Sequence, residues 1–299
     1  MQIDDLRIFV RVAELASFTQ AAEQLGLLKG RVSAAVQQLE AQVGTRLLQR
    51  TTRRVRLTSD GEQFLGSARA LLADAEQLQS MFRPAGSVLR GRLRIDLPNT
   101  IARELVIPRL PEFLATHPHV EVAISTTDRF VDLVEEGFDC VLRVGALADS
   151  ELVVRALGHM VMANVASPAY LAAHGTPQSL DDLGQHRVVH YSGKLSAQGA
   201  GLEYEAGGER RLHPMHAALV VNSADAFQAA CLAGLGIIQA PLRGVRPLIE
   251  AGQLQEILPG YLAAPLPVSL LYPHRHHVPL RVQAMLNWLT QVIEPALQP

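Results

Sequence analysis

Between residues 31 and 41, Ser33, Ala34, Gln37 and Ala41 recur at spacings that put them on one side of a helix, with Arg31 and Gln38 on a flank. No large apolar residue and no acid interrupts that side, whereas a merely solvated face would carry Glu and Lys. Small hydroxyl, methyl and amide side chains in this arrangement suit donor, acceptor and apolar contacts to base edges in a DNA major groove. Downstream, Arg46, Arg50, Arg53, Arg54 and Arg56 crowd together. With Lys29 and Arg31 they face the single acid Glu40 in the window 29–56. The whole chain has a net charge of −2, but residues 1–90 carry twelve Lys+Arg against nine Asp+Glu, and the remainder fifteen against twenty. Positive charge is therefore local, as a site for a phosphate backbone would be.

A second group of polar residues lies at three strand-to-helix junctions: Asn99-Thr100, Thr126-Thr127-Asp128 and Asn222-Ser223. Helix N-termini beyond the carboxyl ends of strands offer free backbone N–H groups to a ligand. Each junction could equally be a simple helix cap. Facing a cleft between two subdomains, the three together would suit an anion or small polar ligand, a carboxylate metabolite among them.

Other chemistry is poorly represented. His274-Arg275-His276-His277 lacks a second ligand arm at zinc spacing and reads as a solvated loop, so no metal is expected. No Gly-x-Ser-x-Gly elbow, phosphate-cradling Gly-x4-Gly-Lys loop or His-Glu-x-x-His is present, and Gly234-Leu235-Gly236 has no third glycine. Without a nucleophile or a paired acid and base, the chain reads as a non-enzyme that needs no cofactor. Cys140 and Cys231 sit in apolar surroundings and read as buried free thiols. The acidic start Met1–Asp5 is unlike an export leader, and the apolar stretch Leu219–Leu242 is broken by Asn222, Asp225, Gln228 and Pro241. No membrane association is expected, and the chain reads as cytoplasmic.

The elements that must position these groups follow from periodicity. The 299 residues, 48% hydrophobic and 19% charged, fit two globular domains. Ile3, Leu6, Phe9 (or Val10) and Ala13 predict a helix over 3–15. After a break at Ala16–Phe18, Thr19 would cap a short helix Gln20–Leu25, closed by Gly26. A third helix spans about 31–42, with Val32, Val36, Leu39 and Val43 as its inward stripe. Two short helices joined through a Gly-containing turn form a helix-turn-helix. Alternation around Val55 and Leu57, with Thr51, Thr52 and arginines at the tip, predicts a β-hairpin wing.

Ser59 and Glu62 then read as a capping box. It opens a helix of about 24 residues, roughly 36 Å long. Phe64, Ala68, Leu71, Ala75, Leu78 and Phe82 form a heptad seam along it, widened by Leu65 and Leu72. Dimerisation through this seam is expected, the alternative being a core helix packed on its own chain. Pro84–Gly91 is the linker. Strands follow at Leu93–Leu97, Val120–Ser125 and Phe138–Val144, with a helix after Pro98-Asn99-Thr100 to about Thr116 and another over Phe130–Glu136. The unit recurs with strands Arg187–His190, Ala218–Val221 and Ile237–Ala240 around the helix Ala224–Ala233. The last strand Val268–Tyr272 and helix Val278–Ile293 return to the first sheet. Such alternation implies parallel sheets with crossover helices.

The stretch Phe9-Val10-x-Val12-Ala13-Glu14-x-x-Ser17-Phe18-Thr19-x-Ala21-Ala22-x-x-Leu25 resembles the opening of LysR-type transcriptional regulators. So do Val32-Ser33, Leu39-Glu40, Leu47-Leu48-x-Arg50-Thr51-Thr52-Arg53 and Leu57-Thr58-x-x-Gly61. The likeness is dense over residues 3–65 and continues more diffusely through Gly91-x-Leu93-Arg94, Leu110-Pro111-x-Phe113 and Val131-Asp132-Leu133-Val134-x-x-Gly137. It implies an N-terminal winged helix-turn-helix (1–58), a long linker and dimerisation helix with hinge (59–90), and an α/β effector domain (91–299) like a type 2 periplasmic binding protein. That domain would comprise subdomain I, about 91–163 and 267–299, and subdomain II, about 164–266.

The function implied is sequence-specific regulation of transcription, controlled by a small molecule bound between the subdomains. Homo-oligomers, usually tetramers, would sit on an imperfectly palindromic promoter site, with RNA polymerase a further partner of an activator. The expected DNA-contacting set is Thr19, Gln20, Lys29, Arg31, Ser33, Ala34, Gln37, Gln38, Arg50, Arg53 and Arg54. The resemblance sets the effector cleft near Thr100, Thr127 and Gly145, with His190 and Asn222 from the second subdomain, and Asn99 joins them from its junction. Three residues depart from the family pattern. Leu28 stands where a Ser-like cap is usual, Gly30 where Pro is frequent, and Ala34 where Arg is common. One lost bidentate base contact removes about 1–3 kcal/mol of discrimination, so specificity leans on Arg31, Ser33, Gln37 and DNA shape. A free-standing solute-binding module is the alternative reading; the basic N-terminal unit and the lack of an export signal argue against it.

Overall fold

The computed structural model describes residues 1–50, 55–80, 88–128, 131–133, 136–147, 152–193, 195–273 and 278–297. Thr51, Thr52, Arg53, Arg54, Phe82, the first half of the linker (84–87) and the tract His274–His277 lie outside the described residues, as do the side chains of Arg50 and Leu78. The chain packs as two compact units. One is Met1–Leu89 with Asp132–Phe138 and Arg275–Gln283; the other is Arg90–Val131, Asp139–His274 and Ala284–Pro299. Among the described residues no helix is long and apolar enough to cross a membrane.

The first unit begins with α1 (Ile3–Leu15), α2 (Phe18–Leu25) and α3 (Lys29–Val43). The cap of α2 is Ser17, not Thr19: its Oγ accepts the Gln20 N–H at 3.3 Å, so the helix starts early enough for Phe18 to reach the core. Gly26, at φ +64°, ends α2 in the left-handed region. Helix α3 starts two residues earlier than its pattern suggests, because the Leu28 carbonyl already accepts the N–H groups of Arg31 and Val32. No side chain caps it, consistent with Leu at that position. Val32, Val36 and Leu39 are fully buried, joined by Ala35. Val43, expected on the same stripe, is 40% exposed, since the helix stops at Gly44 before that turn meets the core.

The antiparallel wing pairs β1 (Leu48–Arg50) with β2 (Val55–Leu57). Helix α4 (Ser59–Ser80) follows, and its cap is Thr58, not Ser59. The Thr58 Oγ1 accepts the Gly61 N–H at 2.9 Å and donates to the Arg46 carbonyl at 2.7 Å, so one side chain closes the helix and ties it to the wing's approach. Phe64 meets Phe9 edge-on at 5.4 Å, and Leu65, Ala68 and Leu72 join the same core.

The second unit opens with β3 (Arg90–Leu97). The single helix expected after it is broken into α5 (Asn99–Ile101), a π-turn, a 3-10 turn and α6 (Leu110–Thr116); Pro108 and Pro111 have no N–H with which to continue the ladder. Strands β4 (His119–Thr126), β5 (Cys140–Val144) and β6 (Leu152–Met160) follow. Of the expected helix Phe130–Glu136, only 131–133 and 136 are described. Among them the Glu136 N–H donates to the Asp132 carbonyl at 2.9 Å, the i to i+4 spacing of a helical turn.

One residue after β6 the chain enters β7 (Met162–Ala166), then α7 (Pro168–His174) and β8 (Arg187–Tyr191). Next come the hairpin β9 (Gly201–Ala206) and β10 (Glu209–Pro214), β11 (His216–Val221), α8 (Ala224–Leu232) and β12 (Ile238–Pro241). The chain ends with α9 (Leu242–Glu250), β13 (Gln255–Glu256), β14 (Leu266–Pro273) and α10 (Leu280–Ile293).

The first sheet has the order β4-β3-β5-β14-β6, with β3 parallel to β4 and β5, and β14 antiparallel to β5 and β6. The second repeats that polarity. Strand β11 is parallel to β8, a parallel bridge Val188–Ile237 joins β8 to the β12 edge, and β12 and β13 run antiparallel to β7. The sheets are thus mixed rather than parallel, because the strands that carry the chain between subdomains enter them reversed. Strand β14 does return to the first sheet.

Candidate functional site

The outward side of α3 is open. Arg31, Ala34, Gln37, Gln38 and Ala41 are exposed, Ser33 is half-buried, and Thr19, Gln20 and Lys29 are exposed around the turn that precedes the helix. Glu40 explains why this side has no negative charge. Its Oε1 accepts the N–H groups of Leu47 (2.9 Å) and Leu48 (3.0 Å), so the one acid between residues 29 and 56 pins β1 to α3 instead of facing solvent. The wing therefore leaves directly from the C-terminal end of the helix whose face carries Ser33 and Gln37. Whether Arg50, Arg53 and Arg54 point toward the same side falls outside the described side chains.

Along α4 the seam divides. Phe64 and Ala68 pack into the core of their own unit, which is the alternative noted for this helix, while Leu71 is 44% exposed and Ala75 is half-buried. Leu78 and Phe82 fall outside the described side chains.

In the second unit, a cavity of about 260 Å³ is bounded by residues from both sheets. Thr100 and Thr127, expected at the cleft, line it. Asn99 does not; its amide donates to Asp225. Gly145 gives its N–H to the Pro267 carbonyl at 2.8 Å, and neither it, His190 nor the exposed Asn222 reaches the cavity wall. The walls are instead largely apolar, built by Ile101, Leu105, Met160, Met162, Phe227 and Leu266.

The polar groups there form two assemblies that the linear pattern did not disclose. At the cavity, Arg143 stands with its Nη2 2.7 Å from Oδ2 of the fully buried Asp96, and Thr127 Oγ1 donates to the same carboxylate at 3.2 Å. Across the cleft, Asp128 Oδ2 accepts the Ala224 N–H at 2.9 Å, capping α8 from the other subdomain. Asp225, in the first turn of α8, is held by Asn99 and by Arg103 at 2.9 Å. Hydrogen bonds to Glu104 and then Asp225 push the Arg103 guanidinium further into its charged range. Tyr191 also lines the cavity. Burial, with the Asp128 charge adding to it, pushes its phenol up to about 12, so at neutral pH it keeps its proton. The strand residues Asp96 and Arg143 lie within apolar β-runs, where only the meeting of β3 with β5 reveals them as partners. Among the described residues no cluster of His, Cys, Asp and Glu could hold a metal ion.

A helix whose exposed side carries no acid, with an attached wing, and an α/β unit with a cavity between two like sheets define a ligand-responsive DNA-binding protein. Comparison with known proteins agrees over the whole chain. Residues 3–62 match the bacterial regulatory helix-turn-helix family of lysR type, and residues 86–294 match the LysR substrate binding domain. An uncharacterised HTH-type transcriptional regulator of Escherichia coli K12, YhjC, is 44% identical over 99% of both chains. An HTH-type transcriptional repressor of Pseudomonas aeruginosa is 37% identical over 95% of this chain and 90% of its own. The solved structure of CrgA, a LysR-type transcriptional regulator from Neisseria meningitidis, covers 97% of this chain and 98% of its own at a TM-score of 0.60 and 29% identity. The chain belongs to the LysR family of bacterial transcriptional regulators, and it is a DNA-binding regulator with an effector-binding domain.

Proposed function

We propose that residues 1–58 form the DNA-binding domain, 59–90 the linker helix and hinge, and 91–299 the effector domain. In this reading Ser33, Gln37 and Arg31 read base edges, with Ala34 contributing apolar contact. Thr19, Gln20, Lys29, Gln38 and the wing arginines Arg50, Arg53 and Arg54 bind phosphates. The observation that carries it is the acid-free, exposed side of α3, from which Glu40 has been withdrawn to hold the wing. Two copies joined along the α4 seam from the exposed Leu71 onward, through Ala75, Leu78 and Phe82 as the sequence spaces them, would place two such helices on an imperfect palindrome, and a pair of dimers would form the tetramer. The mechanism is regulatory, without catalysis, in the cytoplasm where the promoter lies; RNA polymerase is the added partner where the outcome is activation.

The effector would occupy the cavity between the sheets, next to Thr100 and Thr127. Binding there competes with or reinforces the bonds from Asn99, Arg103 and Asp128 to the start of α8. The angle between subdomains would shift, and with it the spacing of DNA-binding heads across the oligomer. Affinity for a promoter-length duplex, followed by fluorescence anisotropy from 50 to 200 mM salt, tests the DNA side. With six to ten phosphate contacts it should fall about 10³- to 10⁵-fold over that range. A flat response would favour a solute-binding module.

A further inference from the structure

Helix α3 begins on a residue that adds little to its stability. The helices on either side of it start on hydroxyls that accept a backbone N–H, Ser17 before α2 and Thr58 before α4. At the same position α3 has Leu28, whose side chain caps nothing. Four residues before Val32, Leu28 would continue the inward stripe if the helix had already started. Its backbone is still extended, at φ −71° and ψ 139°, and the side chain leaves the core. At 82% exposure it is the most exposed large apolar residue among those described. Leucine in this place forgoes a cap and gains no burial within its own chain, so its apolar surface is open to a partner.

The surroundings define that partner. Thr19, Gln20, Lys29 and Arg31 are exposed around the same turn, and no acid occurs between residues 24 and 39. One leucine with only the less exposed Leu27 beside it is too small a patch for a protein interface. Next to cations and an amide it matches an apolar group carried by a polyanion. DNA has one such group on its base edges, the C5-methyl of thymine, and it projects into the major groove. The N-terminal residues of a recognition helix are the ones that meet base edges, so a residue entering with them reaches that methyl.

We propose that Leu28 is a specificity-determining residue whose side chain packs on the C5-methyl of a thymine at one fixed position in each half-site. The proposal rests on the placement of α3 in the major groove argued above. Uracil keeps every hydrogen-bonding group of thymine and lacks only the methyl, so replacing thymine by uracil isolates this contact. Ala34 is exposed on α3 as well and offers a methyl of its own, so the base change must be paired with a change at Leu28.

A duplex selected by the full-length protein from a random pool tests this, with each thymine replaced in turn by uracil. In the wild type one uracil position per half-site should weaken binding about fourfold, and both copies together about fifteenfold. Leu28→Ser should bind the thymine and uracil duplexes equally at that position. It should also unfold at a higher temperature than the wild type, because serine restores the cap. Leu28→Met, which keeps an apolar side chain of similar reach, should keep the discrimination. Discrimination retained by Leu28→Ser or lost by Leu28→Met would overturn the proposal and leave α3 as the DNA-reading helix. So would a wild type indifferent to every uracil, or a Leu28→Ser protein that unfolds below the wild type. A selection that yields no preferred duplex would overturn the reading of α3 itself, and this proposal with it.

Discussion

At the scale of single residues, the DNA reading depends on which side chains α3 leaves outside. Gln37 is exposed there and can bond two groups of one base edge, whereas Ala34 offers only a methyl. Gln37→Ala should relax specificity at one position of each half-site by about 1–3 kcal/mol and leave non-specific binding and its salt slope nearly unchanged. Sequence selection from a random duplex pool, compared with the wild type, checks this; an unchanged preferred sequence would remove Gln37 from the base-reading set. The residues of this face were legible because helical periodicity separates Val32, Val36 and Leu39 from the rest. The role of Glu40 was not, since its partners are backbone N–H groups that no pattern of side chains announces. The candidate effector site was legible only in part. Thr100 and Thr127 stand at strand ends, where topology concentrates ligand contacts, but Asp96 and Arg143 become a pair only when β3 and β5 lie side by side.

At the scale of elements, the junction of wing and α4 depends on one missing Cβ. A side chain at Gly61 would come within 2.0 Å of the Leu47 carbonyl oxygen, backbone that is itself bonded to the Thr58 N–H at 3.0 Å. Gly61→Ala should therefore lower stability by about 1–3 kcal/mol and weaken DNA binding by displacing β1. Glu40→Gln, which keeps one acceptor oxygen, should cost less. Thermal unfolding and duplex binding of both variants check it; a Gly61→Ala protein as stable as the wild type would show that the wing is not held against α4. Element types read well from the sequence where one face is buried, as in α1, α3 and α8. Caps and strand directions read poorly. Ser17 and Thr58 compete with neighbouring Thr19 and Ser59, which can also cap, and the structure uses Ser17 for the Gln20 N–H and Thr58 for the Gly61 N–H. Strands β6 and β7 escaped notice because Arg155 and His159 interrupt the alternation of the first, and the second is a continuous buried run with no period at all.

At the scale of the whole molecule, the chain carries a helix-turn-helix unit and an α/β effector-binding unit, and α4 of the first spends Phe64 and Ala68 on its own core and keeps Leu71 exposed. The repeated polarity of the two sheets places a cavity between them, and Asp128, Asn99 and Arg103 tie one sheet's loops to the start of α8 beside the other. In the proposed reading, ligand occupancy and subdomain angle are linked through these bonds. All of this regulates transcription only if α3 lies in the major groove. Methylation interference on a selected duplex reports that directly, because guanine N7 opens to the major groove and adenine N3 to the minor. Interference at guanine N7 in two clusters about one helical turn, or a multiple of it, apart is the predicted result; interference confined to adenine N3, or absent at every purine, would contradict it.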